Sequence, residues 1–138
     1  MPVITSKEKI REILKNSKNV AVIGISPDPS RPSYFVSEVV KRYGFNIFFV
    51  NPKYEGQIIL GEPVYKSILD IPVDIDIVDL FRRPADVIYT AQDAVKKGFK
   101  TFWFQPGTLN LEVSKDLSQK GYNVVENYCL KVACMELL

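Results

Sequence analysis

The stretch Asn19-Val-Ala-Val-Ile-Gly-Ile-Ser-Pro-Asp-Pro-Ser-Arg-Pro-Ser33 runs from a short apolar segment through Gly24 into a polar, proline-rich loop. Residues 20–23 have the length and β-branched content of a buried strand, and from Ser33 onward Val36, Val39, Val40 and Tyr43 recur at helical spacing. A helix N-terminus therefore faces the loop. Its unpaired backbone N–H groups and the positive end of its dipole favour an anion, and Gly24 lets the backbone come close to one, where a side chain would occupy ligand space. This is the outline of a nucleotide phosphate site, an outline shared by strand-loop-helix units of α/β proteins in general.

The same alternation continues on both sides of this unit. Upstream, Thr5-x-x-Glu8 reads as a capping box, and Ile10, Ile13 and Leu14 give a first helix one apolar face. Downstream, the second helix runs over residues 33–43 and closes at Gly44, followed by a strand at 47–50 that is apolar on both faces. A third strand falls within 74–81, a helix opens at Pro84 and runs to Lys97, and a fourth strand covers 101–104. A helix over 110–120 and a short fifth strand at 123–126 follow, and the apolar tail 129–138 packs back as a helix. Strands apolar on both faces that alternate with helices predict an α/β fold: a Rossmann-like, doubly wound, parallel five-stranded sheet with helices on both faces, built as one domain over residues 1–138.

Composition narrows the chemistry. A chain of 138 residues buries roughly two-thirds of its unfolded surface and needs no staples. The net charge of +2 without a Lys/Arg run speaks against nucleic acid as partner, and no apolar stretch reaches the length of a membrane span. The N-terminus is polar and capped, unlike a signal peptide, so a cytoplasmic location is expected. The sequence contains no histidine, which excludes Ser-His and Cys-His nucleophiles, imidazole bases, His metal ligands and phosphohistidine in this chain. The two cysteines, Cys129 and Cys134, are too few for a Cys-only zinc site and read as reduced, partly buried residues.

In a doubly wound sheet the ligand crevice lies beyond the carboxyl ends of the strands, at the topological switch point. The loops there read 24–33, Asn51-Pro-Lys-Tyr54, Arg82-Arg-Pro84, Gln105-Pro-Gly107 and Asn127-Tyr128, and they bring the cations Arg31, Lys53, Arg82 and Arg83 to one rim. Convergent cations at strand ends suit phosphate. A dinucleotide fingerprint would need G-x-G-x-x-G after the first strand and an acidic residue after the second, whereas Gly24 is followed by Ile25 and Ser26, and the second strand ends in Val50-Asn-Pro-Lys53. An amide and a lysine there suit a phosphorylated ribose, as in coenzyme A or NADP, and disfavour NAD.

The segments Val-Ile-Gly-Ile-Ser-Pro-Asp-Pro-Ser-Arg-Pro-Ser33, Val-Asn-Pro-Lys-Tyr54, Asp-Leu-Phe-Arg-Arg-Pro84, Trp-Phe-Gln-Pro-Gly107 and Glu-Asn-Tyr-Cys129 resemble the small stand-alone CoA-binding proteins, whose domain is similar to the N-terminal domain of the succinyl-CoA synthetase α subunit. The resemblance implies a Rossmann-like domain that binds coenzyme A or an acyl-CoA across the strand ends. It carries phosphate contacts onto Gly24, Ile25 and Ser26, with Arg31 and Ser33 lining that loop. It also places Asn51 and Lys53 near the adenosine phosphate, Arg82, Arg83 and Pro84 near the nucleotide, and Gln105 toward the pantetheine arm. Relatives usually carry Asn-Arg-Cys and a later His at the end of the domain; here Tyr128 stands in place of the Arg, and Cys134 or a neighbour in place of the His. Ligase activity needs a phosphohistidine, a second domain and a partner subunit, and is not inherited.

Three classes of function fit this reading: a non-catalytic CoA-binding carrier, sensor or partner subunit; an NADP-binding oxidoreductase or redox sensor on the same fold; and a hydrolase or transferase acting on acyl-CoA. The third needs a general base, for which the chain offers only carboxylates such as Asp28, Asp79 and Glu126. An exposed apolar tail would favour a homodimer.

Overall fold

The computed structural model describes residues 3–138. Its centre is a sheet of seven strands in the order β3-β4-β2-β1-β5-β6-β7. These are β1 (Asn19–Ile23), β2 (Asn46–Val50), β3 (Ile58–Ile59), β4 (Glu62–Tyr65), β5 (Ile77–Leu80), β6 (Thr101–Phe104) and β7 (Asn123–Val125). Every pairing is parallel except that of β3 with β4. The five α-helices among the described residues are α1 (Lys7–Lys15), α2 (Pro32–Arg42), α3 (Val87–Lys97), α4 (Leu111–Gln119) and α5 (Leu130–Leu137).

Each central strand splits its side chains between two cores because successive residues point to opposite faces. Val20 and Val22 of β1 join Val36 and Val40 of α2, Ile10 and Leu14 of α1, and Leu130, Ala133 and Leu137 of α5. Ala21 and Ile23 join the other core, with Val87, Ala91 and Ala94 of α3 and Val113 and Leu117 of α4. The expected two-sided, doubly wound sheet is therefore present, with two more strands than the sequence pattern disclosed. The missed pair is the hairpin β3–β4, whose turn at Leu60-Gly61 has both residues at positive φ (51 and 79). β4 pairs with β2 through Phe49 and Val64 and thereby fills the third-strand place of a Rossmann sheet without a crossover helix. The segment expected at 74–81 forms the next strand, shortened to β5.

Boundaries shift by a residue or two for local reasons. Ser6, not Thr5, caps α1, its hydroxyl accepting the Lys9 N–H at 3.3 Å. Pro32 takes the first position of α2, with Arg31 as the cap residue. Pro84 opens a single 3-10 turn, Pro84–Asp86, before α3 begins at Val87.

Asp76 ties the entry of β1 to that of β5. Its Oδ2 accepts the N–H groups of Lys18 at 2.8 Å and Asn19 at 2.9 Å, and Lys100 Nζ lies 3.4 Å from Oδ1. Burial pushes the carboxyl up, but the two N–H groups and Lys100 outweigh it and hold the pKa below the ordinary value. A lowered folded pKa contributes stability that is present above the unfolded value and lost as pH falls through the folded one. Asp76→Ala is expected to cost about 1–3 kcal/mol at neutral pH, because two backbone donors lose their acceptor. Urea unfolding at neutral pH checks this, and repeating it as pH falls below the ordinary carboxylate value should find the gap between variant and parent narrowing.

Candidate functional site

The strand order reverses at β1, which has β2 on one side and β5 on the other, so the crevice expected of this fold opens where β1 and β5 end. A cleft of about 520 Å³ lies there. One wall is the loop after β1 and the start of α2, with Gly24, Ser26, Arg31, Ser33 and Phe35; the other is Phe81 to Pro84 after β5. Gln105 to Thr108 after β6 and Cys129 before α5 complete it. A smaller hollow of about 150 Å³ adjoins it, sharing Gly24 and Arg82 and extending over Pro52, Lys66 and Ser67 toward Tyr89 and Asp93 of α3. A larger groove of about 650 Å³ runs between α3 and α4, with Lys96, Asn110, Glu112, Asp116 and Lys120 among its lining.

The loop after β1 is knit by its own side chains. The Ser26 N–H donates to Ser33 Oγ at 3.0 Å, the Asp28 N–H to Ser26 Oγ at 3.1 Å, and Asp28 Oδ1 accepts both the N–H and the hydroxyl of Ser30. The Ser30 backbone and hydroxyl donors hold the Asp28 carboxyl below its usual range, which fits a loop fastener better than a base. Ile25, expected at the site, is fully buried in the core and lines neither hollow. Gly24 has φ +93, and a Cβ there would fall 2.4 Å from the Phe81 carbonyl oxygen and 3.0 Å from Arg82 Cδ. The glycine is thus demanded by the crossing of two loops of this chain, a different reason from the ligand approach expected of it.

Asn51 is spent inside the protein: its Nδ2 donates to the Ile25 carbonyl at 2.8 Å and its Oδ1 accepts the Lys53 N–H at 3.0 Å. It positions the loop after β1 against the end of β2 and does not line the cleft, and Lys53 stands exposed beside the Tyr54 ring. Arg83 is also largely exposed and pairs with Asp86 at 3.0 Å. Arg82 differs from both. It is half-buried, borders both hollows and has no carboxylate partner among the described residues. Gln105 is 4% exposed; its Oε1 accepts the Leu130 N–H at 2.9 Å while its Nε2 has no acceptor among the described residues.

Tyr128 turns away from the cleft. Its ring stacks on Trp103, its carbonyl accepts the Trp103 indole N–H at 2.6 Å, and its hydroxyl joins Lys7 and Glu136, pinning the tail to α1. The general bases considered from sequence are dispersed: Glu126 accepts the Ser114 hydroxyl at 2.5 Å, and Asp79 is buried in the sheet at 1% exposure. Lys66 and Ser67 escaped the sequence reading because they follow β4, the strand it did not find.

The CoA binding domain family matches residues 18–135 of the chain. The uncharacterized protein YneT of Bacillus subtilis is 38% identical over 128 residues, covering 93% of each chain. A hypothetical protein from Pyrococcus horikoshii OT3, of solved structure, is 39% identical with a TM-score of 0.92, over 99% of this chain and 96% of that one. An ADP-forming acetate–CoA ligase of Archaeoglobus fulgidus is 28% identical over 131 residues, which are 87% of this chain but 19% of that enzyme.

Proposed function

Because the chain belongs to the CoA binding domain family, we propose that it holds coenzyme A, or an acyl-CoA, across the switch point, as a carrier, sensor or partner subunit without chemistry of its own. The observation that carries this reading is Arg82, a half-buried and unpaired guanidinium at the junction of the two hollows. A buried-side cation without a carboxylate is costly unless an anion completes it, and planar guanidinium suits phosphate. The pyrophosphate lies at Gly24 to Ser26 and the N-terminus of α2, with Arg31 and Ser33 beside it. The adenosine end extends over Pro52 and Lys66, with Lys53 and the Asn51 turn nearby, and the pantetheine arm runs past Gln105. The absence of histidine excludes a phosphohistidine step, and the acid groups Asp28 and Glu126 are engaged in structural bonds.

Titration calorimetry with coenzyme A, 3′-dephospho-CoA, NAD and NADP tests the reading. Coenzyme A should bind tightest, with loss of the 3′-phosphate weakening it roughly ten- to a hundredfold, the scale of a charge-assisted contact of about 1.5–3 kcal/mol. Arg82→Ala should weaken coenzyme A and its dephospho form alike. Equal affinity for all four ligands, or preference for NADP, would overturn the assignment.

A further inference from the structure

The two cysteines occupy opposite environments. Cys134 is fully buried in α5, and burial, helped by Asp79 and Cys129, pushes its thiol up to about 12, which leaves it inert. Cys129 is half-buried and borders the main cleft, and among the described residues its sulfur takes part in no hydrogen bond. A second group in the same corner is only partly satisfied by the protein. Gln105 is more than nine-tenths buried and lines the cleft, and the bond from the Leu130 N–H to its Oε1 holds its amide beside the residue that follows Cys129. Among the described residues its Nε2 has no acceptor. A linear thiol arm bearing amide carbonyls supplies what both groups lack: a carbonyl for Nε2 and a sulfur for Cys129.

We propose that Cys129 exchanges with the disulfide form of the nucleotide-bearing thiol, so that the cleft captures oxidised coenzyme A as a mixed disulfide. The inference rests on the coenzyme A reading of the cleft. The Cys129 thiolate attacks one sulfur of the ligand disulfide; that S–S bond breaks, a new one forms to Sγ, and the other half departs as a thiolate that takes up the proton lost by Cys129. Cys129 is oxidised and half of the disulfide is reduced, so the ligand itself is the oxidant. A reducing thiol reverses the step. Binding of the nucleotide part raises the local concentration of disulfide at Cys129, which a disulfide lacking the nucleotide does not enjoy.

Intact-mass measurement of the full chain with the symmetrical disulfide of coenzyme A, beside oxidised glutathione as the plain disulfide, provides the test, with calorimetry of reduced coenzyme A on the same preparation. The expected result is one CoA-sized increment, reversed by dithiothreitol, formed about tenfold or more faster than the glutathione adduct and mapped by peptide digestion to Cys129. Cys129→Ser should abolish the increment and Cys134→Ala should keep it; peptide mapping of the parent locates the adduct even if a variant fails to fold. Binding of reduced coenzyme A with no adduct, or an adduct on Cys134, overturns the exchange and leaves the binding reading standing. Equal rates for both disulfides together with no binding of coenzyme A overturn both.

Discussion

Gly24→Ala should lower the stability of the fold by about 3 kcal/mol, the sum of two costs. The first is conformational: the residue sits at φ +93, where an L side chain is strained by about 1–3 kcal/mol. The second is steric, because the new Cβ would lie 2.4 Å from the Phe81 carbonyl oxygen, a backbone atom that cannot rotate aside. Relief requires β5 and the Arg82 loop to move away from β1, at about 1–3 kcal/mol for an overpacked site. That movement also opens the junction shared by the two hollows, so ligand binding should be lost together with stability. Guanidinium melts and calorimetry on the variant check both. An unchanged midpoint would show that the two loops can part freely.

The second large effect concerns Asp79, which has Val22 and Trp103 as its sheet neighbours and both carboxylate oxygens without a partner among the described residues. Burial pushes its pKa well above the ordinary carboxylate value. Folding therefore favours the protonated form. The contribution is fully present below the unfolded pKa and is lost as pH rises from about 4 toward the folded pKa, so the parent protein should weaken across that window. Asp79→Asn removes the titration at almost constant shape and should stabilise the protein at neutral pH by about 1–4 kcal/mol, the range found when buried charges are replaced. The gain should shrink as the pH approaches 4. Urea unfolding of both proteins from pH 4 to 8 measures it, and a difference that does not vary with pH would mean that Asp79 does not titrate in that range.

Much of the architecture was legible because burial on two faces leaves a mark on composition. Val20 to Ile23, Ile47 to Val50 and Thr101 to Phe104 are continuous apolar runs between helical repeats, and they became β1, β2 and β6. The prolines and glycines of the loops located the strand ends, and with them the rim that carries Arg31 and Arg82. The hairpin β3–β4 left no such mark. Its strands are two and four residues long, Pro63 interrupts the second, and Ile58 is exposed, so periodicity has nothing to act on.

The sequence by itself determined the parallel α/β sheet, the absence of imidazole chemistry, the kinship with CoA-binding domains and the loops that border the crevice. All of these follow from residue types and from spacing along the chain. Only the tertiary structure decided which side chains of those loops are available. Asn51, Arg83 and Asp28 look as free as Arg82 in the sequence, yet the first bonds to Ile25 and the other two to near neighbours, while Arg82 and the Nε2 of Gln105 keep their donors. The same holds for Gly24, whose necessity comes from Phe81, 57 positions away along the chain. Hydrogen-bond partners and steric limits depend on distances between segments remote in sequence, and folding alone sets those distances.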